Sequence, residues 1–133
     1  MNYITIILSA LSVMSIPAER VVNPNAIKSV VCTQPNVKLD FHDINVAQLQ
    51  ICGGIAGKIQ KCQGNPTSTT GISGTAKFIA TPKINGSTIN VSKGRWEQGI
   101  AAGLAKCGQS PVKGIIPLGT SNGDLIVRLK ENK

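Results

Sequence analysis

The sequence predicts an α+β fold, a ferredoxin-like split βαβ sandwich with a four-stranded antiparallel sheet, two helices on one face and two disulfides. Three observations carry that expectation. Strand-like and helix-like periodicities alternate in the order strand, helix, strand, strand, helix, strand. The two helical stretches resemble each other: Gly54-Ile55-Ala56 with Ile59, Lys61 and Cys62 lines up with Gly99-Ile100-Ala101, Leu104, Lys106 and Cys107, as two related halves would. Four cysteines, an even number in a small chain, read as a pair of bridges.

The chain of 133 residues fits one domain. Residues 1–18 read as a signal peptide: Ile4 to Met14 is an uncharged apolar run too short to span a bilayer, and Ser15-Ile16-Pro17-Ala18 supplies a breaker and a small residue at a cleavage point. Residues 19–34 are polar, contain Pro24 and Asn25 and end near Cys32, which suits a leader or N-terminal arm with a trimming point after Arg20. Residues 35–133 form the single α+β domain. No later apolar run reaches membrane-spanning length, so the expected product is secreted and has no transmembrane segment.

Val37 to His42, VKLDFH, alternates apolar and polar and reads as the first strand, with Val37, Leu39 and Phe41 inward. Asp43 or Asn45 then caps a helix running from Asn45 to Gly64. In it Ile51, Cys52, Ile55, Ile59 and Cys62 share an arc of about 100°, with Gln50, Gly53, Gly57 and Lys61 opposite. Thr67 to Gly74 reads as a polar loop. Thr75 to Thr81 and Ser87 to Ser92 read as a hairpin turning at Asn85-Gly86. Arg95 to Cys107 places Trp96, Ile100, Leu104 and Cys107 on one helical face and stops at Gly108. Val112 to Gly123, with Pro117, Gly119 and Asn122-Gly123, reads as a loop, and Asp124 to Lys130 as the last strand. The spacings Gly53/Gly57 and Gly99/Gly103 suit close packing of backbones.

This topology selects a disulfide pairing. On one helix Cys52 and Cys62 would stand about 15 Å apart at 1.5 Å per residue. A bridge needs a Cα separation of about 4.4 to 6.8 Å. The expected bridges are therefore Cys32 with Cys62, at one end of the sandwich, and Cys52 with Cys107, at the other. A zinc site is disfavoured because no cysteine pair has metal-ligand spacing and the single His42 is out of register with all four.

The formal charge of +8 favours an anionic surface as a possible partner, whether nucleic acid, lipid headgroup or acidic polysaccharide. The basic residues are scattered singly along the chain with almost no aromatics between them, so no dedicated nucleic-acid site is expected. Proton-transfer chemistry is thinly supplied. His42 lies between Asp40 and Asp43 on what reads as a strand edge, and Arg95 and Glu97 are the only residues that could complete a ribonuclease-like cluster around it. No phosphate-cradling glycine motif follows a strand, and the cysteines are expected in bridges, which leaves no catalytic residues, cofactor or metal to name. Trp96 reads as core. Asn85-Gly86-Ser87 and Asn90-Val91-Ser92 have the form of N-glycosylation acceptors at Asn85 and Asn90.

A basic, disulfide-stapled chain of this size with an export signal, split βαβ order and cysteines on its helices resembles the two-subunit killer toxins of smut fungi. It is also similar to the wider group of killer-toxin-like effectors secreted by plant-pathogenic fungi; the resemblance covers about Cys32 to Lys130. It implies a non-enzymatic protein acting outside its producer on an unknown host or competitor target. Two further classes follow from the residues themselves. One is an extracellular glycan- or protein-binding module presenting Thr67 to Gly74 or Val112 to Gly123. The other is a small secreted ribonuclease built on His42.

Overall fold

A computed structural model describes residues 22–55, 62 and 64–133. The proposed signal peptide and the middle of the Gly/Ile-rich stretch, including Gly57, Ile59 and Lys61, lie outside the described residues. The elements in chain order are β1 (Lys28–Cys32), α1 (Phe41–Leu49), β2 (Thr69–Ser73), β3 (Ala76–Pro82), α2 (Lys93–Cys107), β4 (Val112–Thr120) and β5 (Gly123–Glu131). Short 3-10 turns occupy Pro24–Ala26 and Ile51–Gly53.

The strands form one five-stranded antiparallel sheet in the order β1-β4-β5-β3-β2. Because β3 and β4 both run antiparallel to β5, they are parallel to each other. The unit β3-α2-β4 is thus a split βαβ with β5 inserted between its strands. The unit β1-α1-β2 nests around it, from one edge of the sheet to the other. The α+β class stands. The sheet, however, has five strands where four were expected, in an order built from nested units instead of a ferredoxin-like sandwich.

Apolar side chains at alternate positions make one face of the sheet. Ala76, Phe78 and Ala80 on β3, Leu125, Val127 and Leu129 on β5, and Val112 and Ile116 on β4 are all buried. Both helices cover this face. Trp96 of α2 is 1% exposed and meets Phe78 edge to face with ring centroids 5.8 Å apart. Its Nε1–H donates to the Gln48 carbonyl of α1 at 3.2 Å, so one side chain ties both helices to the sheet. At the same end of α1, next to Gln48, the backbone lies so close to β2 that a Cβ at Gly71 would collide with the Ala47 carbonyl.

Several local expectations are corrected. Val37 to His42 is not a strand. Asp40 caps α1, its side chain accepting from the Asp43 N–H at 3.2 Å, in place of Asp43 or Asn45. Leu39 is still inward, but Phe41 is exposed on the first turn of the helix. Thr69–Ser73 and Val112–Thr120, both expected as loops, are strands, and the former arm contributes β1. The hairpin partner of β3 is β2, turning at Gly74-Thr75, where Asp43 Oδ2 accepts from the Thr75 N–H at 2.8 Å and its hydroxyl at 2.9 Å. Residues 87–92 instead run past the end of the sheet, joined to β4 by the bridge of Ile89 to Thr120, with Ile89 and Val91 buried.

The largest correction concerns the first helix and its cysteines. It ends at Leu49, and Cys52, Gly53 and Gly54 then adopt φ of 58°, 73° and 103°. Successive residues in the left-handed region reverse the chain instead of extending the helix, and a Gly-Gly pair makes that inexpensive. The reversal brings Cys62 back onto Cys52, with Cα atoms 4.8 Å apart. The bridges are Cys52–Cys62 and Cys32–Cys107 in place of the expected Cys32–Cys62 and Cys52–Cys107. The matched motif therefore falls on a turn at Gly54 and on a helix at Gly99. At Gly99 a Cβ would run into the Ile116 side chain, so α2 sits directly on β4.

Candidate functional surface

Side chains that point away from the helices make a second face, and the strand registers order them into rows. One row runs Ile72, Lys77, Lys130 across β2, β3 and β5. The next runs Thr70, Ile79, Arg128, Lys113, Val31 across all five strands. A third brings Thr81, Ile126, Ile115 and Lys28 together. None of these residues is buried; Ile72 is 43% and Val31 55% exposed. No described element covers the face.

Lys77 stands directly opposite Lys130, and Lys113 directly opposite Arg128. Such partners have Cβ atoms about 4.5 to 5.5 Å apart, and like charges there are destabilising. Among the described residues, no carboxylate lies within ion-pair distance of these four cations. Among the described residues, Asp124 is the only acidic side chain at an outward position of the sheet, and it is engaged: Oδ2 is 3.1 Å from Lys28 Nζ, and Oδ1 accepts from the Leu118 N–H at 3.0 Å. The Leu118 amide first, and then Lys28, hold its carboxyl below the ordinary carboxylate range. The face is thus a cationic surface with β-branched apolar residues set between the charges.

The remaining sequence candidates sit elsewhere and do not converge. His42 is exposed on the first turn of α1. The carboxylates beside it have structural partners: Asp40 caps the helix, and Asp43 holds the β2-β3 turn, where the Thr75 amide lowers its pKa. Arg95 donates from Nη1 to the Leu118 carbonyl at 3.2 Å, Glu97 is exposed on α2, and no hydrogen bond or ion pair joins either to His42. Asn85 and Asn90 are both exposed, while Ser87 is buried and Ser92 caps α2 by accepting from the Arg95 N–H. A cleft of about 400 Å³ between β1 and α2, lined by Ile27, Lys28, Val30, Ala102 and Lys106, brings together no acid-base pair.

Among the described residues, no group of three or more His, Cys, Asp or Glu is placed to hold a metal ion, and no helix is long and apolar enough to cross a membrane. No family model, curated protein or solved structure matches the chain.

The outer face was partly visible in the sequence. On β3 and β5, Lys77, Arg128 and Lys130 alternate with the core residues and so point outward. Lys113 is not visible in the same way, because Gly114, Pro117 and Gly119 give its strand the composition of a loop. Linear scatter of lysines concealed their convergence, which pairing alone produces.

Proposed function

We propose that this protein is a secreted, disulfide-stabilised, killer-toxin-like protein that acts outside the producing cell as a fungal effector or antimicrobial toxin, by binding and not by catalysis. The observation that carries this reading is the division of labour in the sheet: one face is closed by helices and bridged cysteines, the other is an open cationic surface. A binding protein needs a rigid scaffold that presents such a surface. Two disulfides and the absence of a membrane-spanning helix among the described residues are compatible with export to an oxidising compartment. The split βαβ unit of β3, α2 and β4 is the part of the fold that supports the resemblance to killer toxins.

The test is biological. Purified protein is applied to competing fungi and infiltrated into leaf tissue. Growth inhibition identifies a toxin, and symptoms in leaves identify an effector. Inactivity in both assays removes the killer-toxin-like reading.

A further inference from the structure

We infer that the outer face of the sheet is a membrane-surface site, which seats the protein on the headgroup layer of an anionic lipid bilayer. The inference rests on the extracellular binding role proposed above and assigns that role a partner chemistry.

Charge is the first argument. Lys77, Lys130, Lys113 and Arg128 lie on the three central strands in two directly opposed like-charged pairs, without a carboxylate partner among the described residues. Each pair costs stability in the isolated protein, and a layer of phosphates relieves the repulsion. The apolar residues are the second argument. Ile79, Ile115 and Ile126 lie between the cations, with Ile72 on one edge strand and Val31 on the other. At a bilayer surface, apolar side chains enter the boundary below the headgroups while lysine and arginine stems carry their charges to the phosphates. A nucleic acid or a soluble acidic glycan offers these branched residues nothing comparable. A nucleic-acid surface would offer aromatic platforms, on which bases stack. Phe78 and Trp96 are buried on the opposite face of the sheet, and Phe41 is on α1, so the described part of the outer face has none. A charged, laterally uniform surface is the ligand that best fits alternating cations and isoleucines spread over a sheet.

The experiment is flotation of the full secreted chain with phosphatidylcholine vesicles, with and without phosphatidylserine. Recovery with the phosphatidylserine vesicles alone, declining as salt is raised, is expected. Lys113→Gln with Arg128→Gln should weaken partitioning about thirtyfold, at roughly a factor of five per cation. Ile79→Ser with Ile126→Ser should weaken it at unchanged charge, an effect that a purely ionic site would not show. Circular dichroism and thermal melts verify that each variant is folded.

Failure of the wild type to float with anionic vesicles overturns the inference. So does unchanged binding by the Lys113/Arg128 variant, or stronger retention on polygalacturonate or single-stranded RNA than on vesicles. The inference and the functional reading fail separately. A folded charge variant that loses vesicle binding but keeps full growth inhibition or leaf activity overturns the assignment of a lipid partner to that role and leaves the toxin-like role itself standing. Vesicle binding by a protein inactive in both biological assays does the reverse.

Discussion

The two faces of the sheet are made from the same strands, one residue out of step, and they obey opposite rules. On the helix side Phe78, Leu125, Val127 and Leu129 are almost wholly buried, and Trp96 satisfies its one polar atom against Gln48. On the other side, residues one position along the same strands leave four cations in two facing pairs, without carboxylate partners among the described residues. The first face lowers the energy of the fold; the opposed like charges on the second raise it. The sheet can carry the unfavourable face because the helices and bridges secure the favourable one. That contrast separates what holds the molecule together from what it presents to a partner.

The strongest way to break the contrast is to cut the closed side. The Cys32–Cys107 bridge spans 75 residues and Cys52–Cys62 spans 10. On a chain-entropy account they contribute about 4.5 and about 2.7 kcal/mol. Replacing both cysteines of the long bridge by serine should therefore destabilise more than replacing both of the short one, and urea unfolding of the two double variants measures the difference. Non-reducing peptide mapping of the wild type should recover Cys52 linked to Cys62. Trp96→Ala, which empties the contact with Phe78 and removes the hydrogen bond to Gln48, should cost about 3 to 5 kcal/mol by the same measurement. Loss of vesicle binding in that variant under conditions where it remains folded would show that the faces are not independent.

A smaller effect separates the carboxylates. Asp43 and Asp124 are both held below the ordinary carboxylate value near 3.8, mainly by the amides of Thr75 and Leu118 respectively. A depressed carboxylate stabilises the fold above its unfolded pKa, and that stability is lost as pH falls through the folded value. Wild-type protein should weaken below about pH 4, and Asp43→Asn or Asp124→Asn should each flatten this acid limb in unfolding curves taken from about pH 6 down to about pH 3. Only Asp124→Asn should also free Lys28 and make the outer face more positive.

How much of this was legible in the sequence depended on interruptions. The helix over Lys93–Cys107 and the strands around Phe78 and Val127 could be read because their periods run unbroken. The strand Val112–Thr120 could not, because Gly114, Pro117 and Gly119 look like loop residues. In the fold Gly114 lies against Ile27, Gly119 lies against Leu125, and Leu118 adopts φ of 57° where the register slips, the marks of close approach and a bulge. The bridge pairing is hard to read from the sequence for a related reason. On a helical wheel Gly53 passes for an ordinary exposed position, whereas Gly53-Gly54 ends the helical path and reverses the chain. Once that turn is placed, the short bridge is the natural one. The cationic face needed one further fact that no single segment contains, namely which strands are neighbours.

The smallest predicted effect bears most directly on the contrast between the faces. Lys113→Glu turns the pair with Arg128 from repulsive to attractive, and should stabilise the protein by about 0.2 to 1 kcal/mol. The wild type should gain stability as salt is added from low ionic strength, because screening relieves both like-charged pairs, and the variant should gain less. The same substitution removes two units of positive charge from the proposed membrane site, so it should weaken flotation with phosphatidylserine vesicles while raising the melting temperature. A change that improves the fold and impairs binding is the behaviour expected of a surface kept for a partner. If Lys113→Glu instead lowered stability, the two faces would share one energetic role, and the repulsion across Lys113 and Arg128 would not be a feature of the isolated molecule.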